Sequence, residues 1–296
     1  MNSTTDSSKS QSLQDEINEL KRRLEEAQVK LSGYQVAQEA LPSPSKVLRS
    51  VGPFSVSSHH FLLLLSDSAL PLGSFAFSSG LESYLAHTRP SSPFTAFLNF
   101  SLSSYASTTL PFVLAAHRNV ADLVELDDTL DAGIMCTVGR RASVAQGRAL
   151  LSIWDRSFSS ALPAGASAAH VQVLKDFAVL LRGTSTNVSY DLPTASAHLG
   201  PLFGAVAHIL GMSLQQTGYV FMLSHVKALL SAAVRASIFG PYHAQKLLAS
   251  VEVQEGIQKA VDQEWETEIE NAGQSVPIMD LWIGRHEMLY SRIFNN

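Results

Sequence analysis

Between Ser213 and Phe239 the chain carries apolar residues around almost the whole circumference of a helix: Leu214, Val220, Phe221, Leu223, Leu229, Leu230, Val234 and Ile238. A helix apolar on every side, in a chain not built for lipid, belongs at the centre of a bundle. His225, Lys227 and Arg235 interrupt the run, so it does not read as a membrane span. Gly240-Pro241 marks a clean end. Gly200, Gly204, Gly211 and Gly218 punctuate the stretch, a pattern of close helix packing. The expected fold is all-α: a helical bundle with one buried central helix.

The flanking sequence agrees. Asn-Gly and Asp-Gly, the strongest short hairpin signals, are absent. Residues 94–105 follow Pro93 and read as a helix, and Pro111 opens the next, running to about Leu126. Residues 133–154 read as one helix. Residues 168–181 put Val171, Leu174, Ala178 and Leu181 on one face, with Gly183 at the C-cap position. Before the bundle, the first dozen residues are Ser/Thr-rich and have nothing to bury. Leu13, Ile17, Leu20, Leu24, Ala27 and Leu31 then form a short heptad seam, coiled-coil-like, with charged flanks. A surface helix and a self-association helix are equally open readings. Pro42, Pro44, Pro53 and six serines over residues 41–58 have linker composition. The expected division is therefore 1–60, tail, heptad helix and linker, and 61–296, an all-α domain.

The chemistry-bearing patterns are mostly missing. The net charge is −5, with 21 Lys+Arg against 26 Asp+Glu, so no basic field awaits nucleic acid. The segment 252–270 holds seven acidic residues against Lys259, a solvated face or a surface for a basic partner. No P-loop, GxGxxG or GxSxG is present. His286-Glu287 fails as a zincin motif because Tyr290 stands where the second histidine belongs. His208 and His225 lie in apolar helices and read as hydrogen-bonded core residues, and the adjacent His59-His60 pair does not face one metal. Cys136 is the single cysteine. Its Ile-Met-Cys setting suits a core filler, and its solitude suits a reducing compartment. An N-terminus without an apolar h-region gives the same cytoplasmic expectation. Neither catalytic residues nor a cofactor or metal site is expected.

Four segments in order carry a family resemblance. They are residues 65–82, LSDSALPLGSFAFSSGLE; Ser143-Val144-Ala145-Gln146-Gly147 with Leu150-Leu151; Ala232-Ala233-Val234-Arg235 with Phe239-Gly240, Gln245 and Leu247-Leu248; and residues 286–294, HEMLYSRIF. From Phe61 onward the chain resembles the urease accessory protein UreF family. The resemblance implies an all-α homodimer that binds UreD (UreH), recruits the GTPase UreG and helps deliver nickel to apo-urease. It implies a non-enzymatic scaffold or chaperone, with nickel at most in transit. The alternative is a direct regulator, activator or fidelity gate, of the UreG GTPase. Where the family often has Gly-Gly, this chain has Gly73-Ser74, and a positive φ at Ser74 would be strained.

Several residues are candidates for partner binding. Glu82 matches a family glutamate implicated in partner gating; a plain surface carboxylate is the competing reading. Arg235, on an otherwise apolar helix, calls for a carboxylate or several carbonyls and would tie that helix to a neighbour. Gln245 follows the Gly240-Pro241 break and can satisfy loop backbone groups. Met279, Ile283, His286, Tyr290 and Ile293 fall on one helical stripe, widened by Trp282, Leu289 and Phe294. With Glu287 and Arg292 alongside, this tail has hot-spot composition. Pro71, Gly73, Gly80, Gly147 and Gly240 are expected as turn and close-packing residues.

Overall fold

The computed structural model describes residues 21–23, 56–88, 93–163, 165–184 and 195–295. Residues 21–23 are helical; the rest of the heptad segment and the 41–55 part of the linker lie outside the described residues. The chain divides into the units Met1–Phe54 and Ser55–Asn296, and everything below concerns the second. Among its described residues there is no strand.

The centre is built from three helices. The first, α3 (Phe94–Arg118), packs along α7 (Leu199–Ile209) and α8 (Leu214–Arg235). The apolar helix α8 is the expected buried one: only Gln215, Ser231 and Arg235 along it are exposed. It is long and apolar enough to cross a membrane, yet more than half of its most apolar window is buried inside the bundle. A capping box starts it. Gln216 N–H donates to Ser213 Oγ and Ser213 N–H donates to Gln216 Oε1, which satisfies two otherwise orphaned donors. Its end comes earlier than Gly240, at Arg235, where Ser237 turns the chain with a φ of 58°. Gly240 instead stands at the N-cap of α9 (Pro241–Leu248), with Pro241 in the first turn.

Glycine sets the spacing of α7 on α3. A Cβ placed on Gly204 would lie 2.1 Å from the Val113 carbonyl oxygen, so only hydrogen fits there. Around this core lie α1 (Val56–Ser66), α2 (Leu81–His87), α4 (Leu123–Gly133), α5 (Thr137–Arg156), α6 (Ala168–Thr184), α10 (Val251–Gln263) and α11 (Ile278–Arg285). The acidic α10 turns Val253, Ile257, Ala260 and Val261 inward against α3 and α8, so its carboxylates form the outer face.

Several boundaries differ from the sequence reading. Pro111 does not open a helix; it lies buried inside the 25-residue α3. Proline has no N–H to give the Ser107 carbonyl one turn back. That carbonyl accepts instead from Gly273 N–H at 3.1 Å, and Ser107 Oγ pairs with Ser275 Oγ at 2.8 Å. The long helix survives because a distant loop takes the vacated acceptor. Residues 133–154 are not one helix: Gly133 ends α4, the chain is extended at Ile134 and Cys136, and α5 starts at Thr137. Gly183 lies within α6 and is not a C-cap.

Candidate functional site

The first family-like segment folds into a tight loop. Pro71 leads to Gly73, whose φ is 75°, and a single 3-10 turn follows over Ser74–Ala76. Ser74 itself has no positive φ, so the Gly73-Ser74 pair is unstrained. Ser79 and Gly80, with φ of 50° and 85°, then aim α2 inward. Gly80 also meets α11 closely: a Cβ there would sit 3.1 Å from both the Ile283 backbone nitrogen and its Cγ1.

This geometry delivers Glu82 to the C-terminal segment. Its side chain is only 12% exposed. Glu82 Oε2 faces His286 Nε2 at 2.8 Å. Ile293 N–H donates to Oε1 at 2.7 Å, and Phe294 N–H donates to Oε2 at 3.3 Å. One carboxylate thus collects an imidazole and two successive backbone amides, the fixed-donor arrangement that holds a carboxylate best. Asn295 N–H donates to the Ala76 carbonyl at 2.9 Å, which closes the tail back onto the loop. The buried His286 has its Nδ1 without a hydrogen-bond partner among the described residues.

Arg235 joins the same cluster differently from expectation. It is exposed, not buried, and needs no carboxylate. Its guanidinium lies 4.4 Å from the centroid of the Phe294 ring, a cation–π contact over a side chain only 3% exposed. It does tie the central helix to a neighbour, and that neighbour is the tail.

The expected helical stripe through the tail is corrected. Helix α11 ends at Arg285, a 3-10 turn covers His286–Met288, and the remaining described residues are irregular. Met279 and Trp282 are buried on α11, while Tyr290 and Ile293 leave the helix and turn outward. Tyr290 is fully exposed, and Met288, Ile293 and Phe75 stand exposed as well. Glu287 pairs with Arg141 of α5, and Arg292 is exposed. The structure therefore gathers Glu82, Gly80, His286, Phe294 and Arg235 into one clamp, with Glu287, Tyr290 and Arg292 on its outer side. Gln245 is not in it: it is exposed on α9.

A second polar cluster has no counterpart in the sequence reading. Asp127, fully buried on α4, accepts backbone N–H bonds from Ser196, Ala197 and His198. One turn on, Asp131 takes Arg140 in a two-point contact, and its Oδ1 lies 2.7 Å from His198 Nε2. Burial pushes the Asp131 carboxyl up, but bonding and charge from Arg140 and His198 together hold it below its usual value. Ser143 Oγ lies 3.0 Å from the other nitrogen of His198. Gly147 belongs here, because a Cβ on it would come 2.0 Å from the Ala197 carbonyl. The only sequence signal was the i, i+4 spacing of two aspartates on one helix. This network locks α4, α5 and the start of α7 together. Among the described residues no three His, Cys, Asp or Glu side chains are grouped to hold a metal. Cys136 is buried.

Comparison with known proteins places this architecture. The family model described as UreF matches residues 91–252. A urease accessory protein UreF-like protein of Schizosaccharomyces pombe is 35% identical over 82% of this chain and 99% of its own. Urease accessory protein F of Arabidopsis thaliana is 30% identical over 78% of this chain and 89% of its own. Urease accessory protein UreF of Paenarthrobacter aurescens is 28% identical, over 78% and 94%. Matched by the family model over more than half of its length and by these relatives over about four-fifths, the chain belongs to the UreF family, a family of accessory proteins and not of enzymes.

Proposed function

We propose that this protein works in urease maturation as a docking scaffold. It dimerises, binds UreD (UreH) and recruits the GTPase UreG, so that nickel reaches apo-urease. Nickel is the cargo of that assembly and takes no resident site in this chain. The names of the relatives support the urease role. The observation that carries the scaffold reading is the Glu82 clamp. It fixes the backbone of residues 293–294 while Met288, Tyr290, Arg292 and Ile293 remain exposed. Exposed aromatic, Met and Arg side chains on a rigid backbone lose little entropy on binding and have the composition of interface hot spots.

Pull-down from purified UreD and UreG tests it. Arg292→Ala, on the outer side, should leave the melting temperature unchanged and weaken recovery of partner by roughly tenfold or more, the scale of a hot-spot truncation. Glu82→Ala should weaken recovery too, because it releases the tail. Full recovery of both partners by both variants would overturn the assignment.

A further inference from the structure

A cavity of about 480 Å³ opens between α3, α5, α8 and α11, beneath the Gly73 loop. That volume is in the range of small-molecule sites. One wall is a stack of three rings. Tyr105 stacks with Phe221, 5.2 Å away at 12°, and with His225, 4.1 Å away at 15°.

Two polar atoms in this wall have a free bonding position among the described residues. The Tyr105 hydroxyl has no hydrogen-bond partner among the described residues. His225 bonds Ser101 Oγ through Nε2 at 2.9 Å, and its Nδ1 has no partner among them. Burial pushes His225 down to about 4, so the ring is neutral at physiological pH, and it pushes the Tyr105 phenol up, so that too stays uncharged. Neither lysine nor arginine lines the cavity. Of the two acidic side chains, Glu270 is exposed and Asp280 is half-buried, and burial raises the Asp280 carboxyl. Phe203, Phe112 and Met279 add apolar surface, and the hydroxyls of Ser104, Thr108, Thr109 and Ser224 and the amide of Gln274 make the rest of the lining polar but uncharged.

We propose that this cavity is a binding site for a small uncharged amphipathic molecule, one hydroxyl or carbonyl oxygen on the Tyr105 hydroxyl and its apolar body against Phe221, Phe203 and Met279. A carboxylate has no cation to meet there. A protonated amine would lose its water among mostly neutral groups, with Asp280 the one half-buried carboxylate in the lining. The site is distinct from the tail surface and does not depend on any partner protein.

The test uses the full chain and the neutral dye N-phenyl-1-naphthylamine, read by fluorescence, with 1-octanol, octanoate and octylamine as competitors. Saturable binding of one dye per chain is expected, with 1-octanol competing at least tenfold better than either charged analogue. Ala228→Trp fills the cavity from α8 and should abolish dye binding. Tyr105→Phe keeps the ring stack and should weaken 1-octanol about three- to tenfold, the scale of one hydrogen bond, with dye affinity retained. Non-saturable dye uptake, equal competition by a charged analogue, or unchanged 1-octanol affinity in Tyr105→Phe would each overturn the proposal. So would undiminished dye binding in an Ala228→Trp chain of normal melting temperature.

Discussion

At the scale of single residues, burial decides protonation. His225 sits in the core with its ring stacked on Tyr105, and burial lowers it from 6.5 to about 4. Between those values the unfolded chain takes up a proton that the folded ring refuses. Stability from this group is therefore complete above pH 6.5 and lost progressively as the pH falls toward 4. Acidification from pH 7.5 to 5.5 should cost about 1.4 kcal/mol through this ring. His117 and His208, also lowered by burial, act in the same direction. Urea unfolding of His225→Gln at the two pH values should show a smaller loss than the parent; an equal loss would refute the assignment. That His225 would be a hydrogen-bonded core residue was legible from its apolar helix. Its stacking on Tyr105 was not, because the two rings are brought together by the packing of α3 on α8. For the same reason Asp127, whose amide donors lie 69 to 71 residues away, showed in the sequence only its i, i+4 spacing from Asp131.

At the scale of elements, glycine placement separates contacts that tolerate a methyl group from those that do not. Gly204→Ala drives a Cβ into the Val113 backbone, which cannot yield as a side-chain tip would. The cost should be about 1–3 kcal/mol. Gly256→Ala in α10 meets only Leu102 Cδ1 at 3.8 Å and should be neutral or slightly stabilising, since alanine is the better helix former. Calorimetric melting of the two variants checks the contrast; equal behaviour would contradict the close approach of α7 to α3. Helix α8 was readable because its periodicity and its Ser213 cap agree. Two other elements were not. Pro111 carries the signature of a helix start, and only the loop at Gly273 shows why it can stay inside one. In the tail, apolar spacing continues past Arg285 although the helix does not, because the Glu82 contacts bend residues 293–294 out of helical register.

At the scale of the molecule, the scaffold reading expects self-association. Light scattering of the purified protein should give twice the 32.0 kDa chain mass, and addition of UreD should raise it further. A monomer indifferent to UreD would contradict it. The all-α class followed from helix-type apolar patterning, whereas the clamp depends on residues about 210 positions apart and required the structure. One consequence reaches across the same span. Proline at position 111 turns the middle of the longest helix into a mooring point, since the freed Ser107 oxygen and the Ser107 hydroxyl hold residues 273 and 275 ahead of α11. A relative that lost this proline would regain an ordinary rung inside the helix and slacken the tether to its C-terminal segment, so the two places are expected to change in concert over evolution.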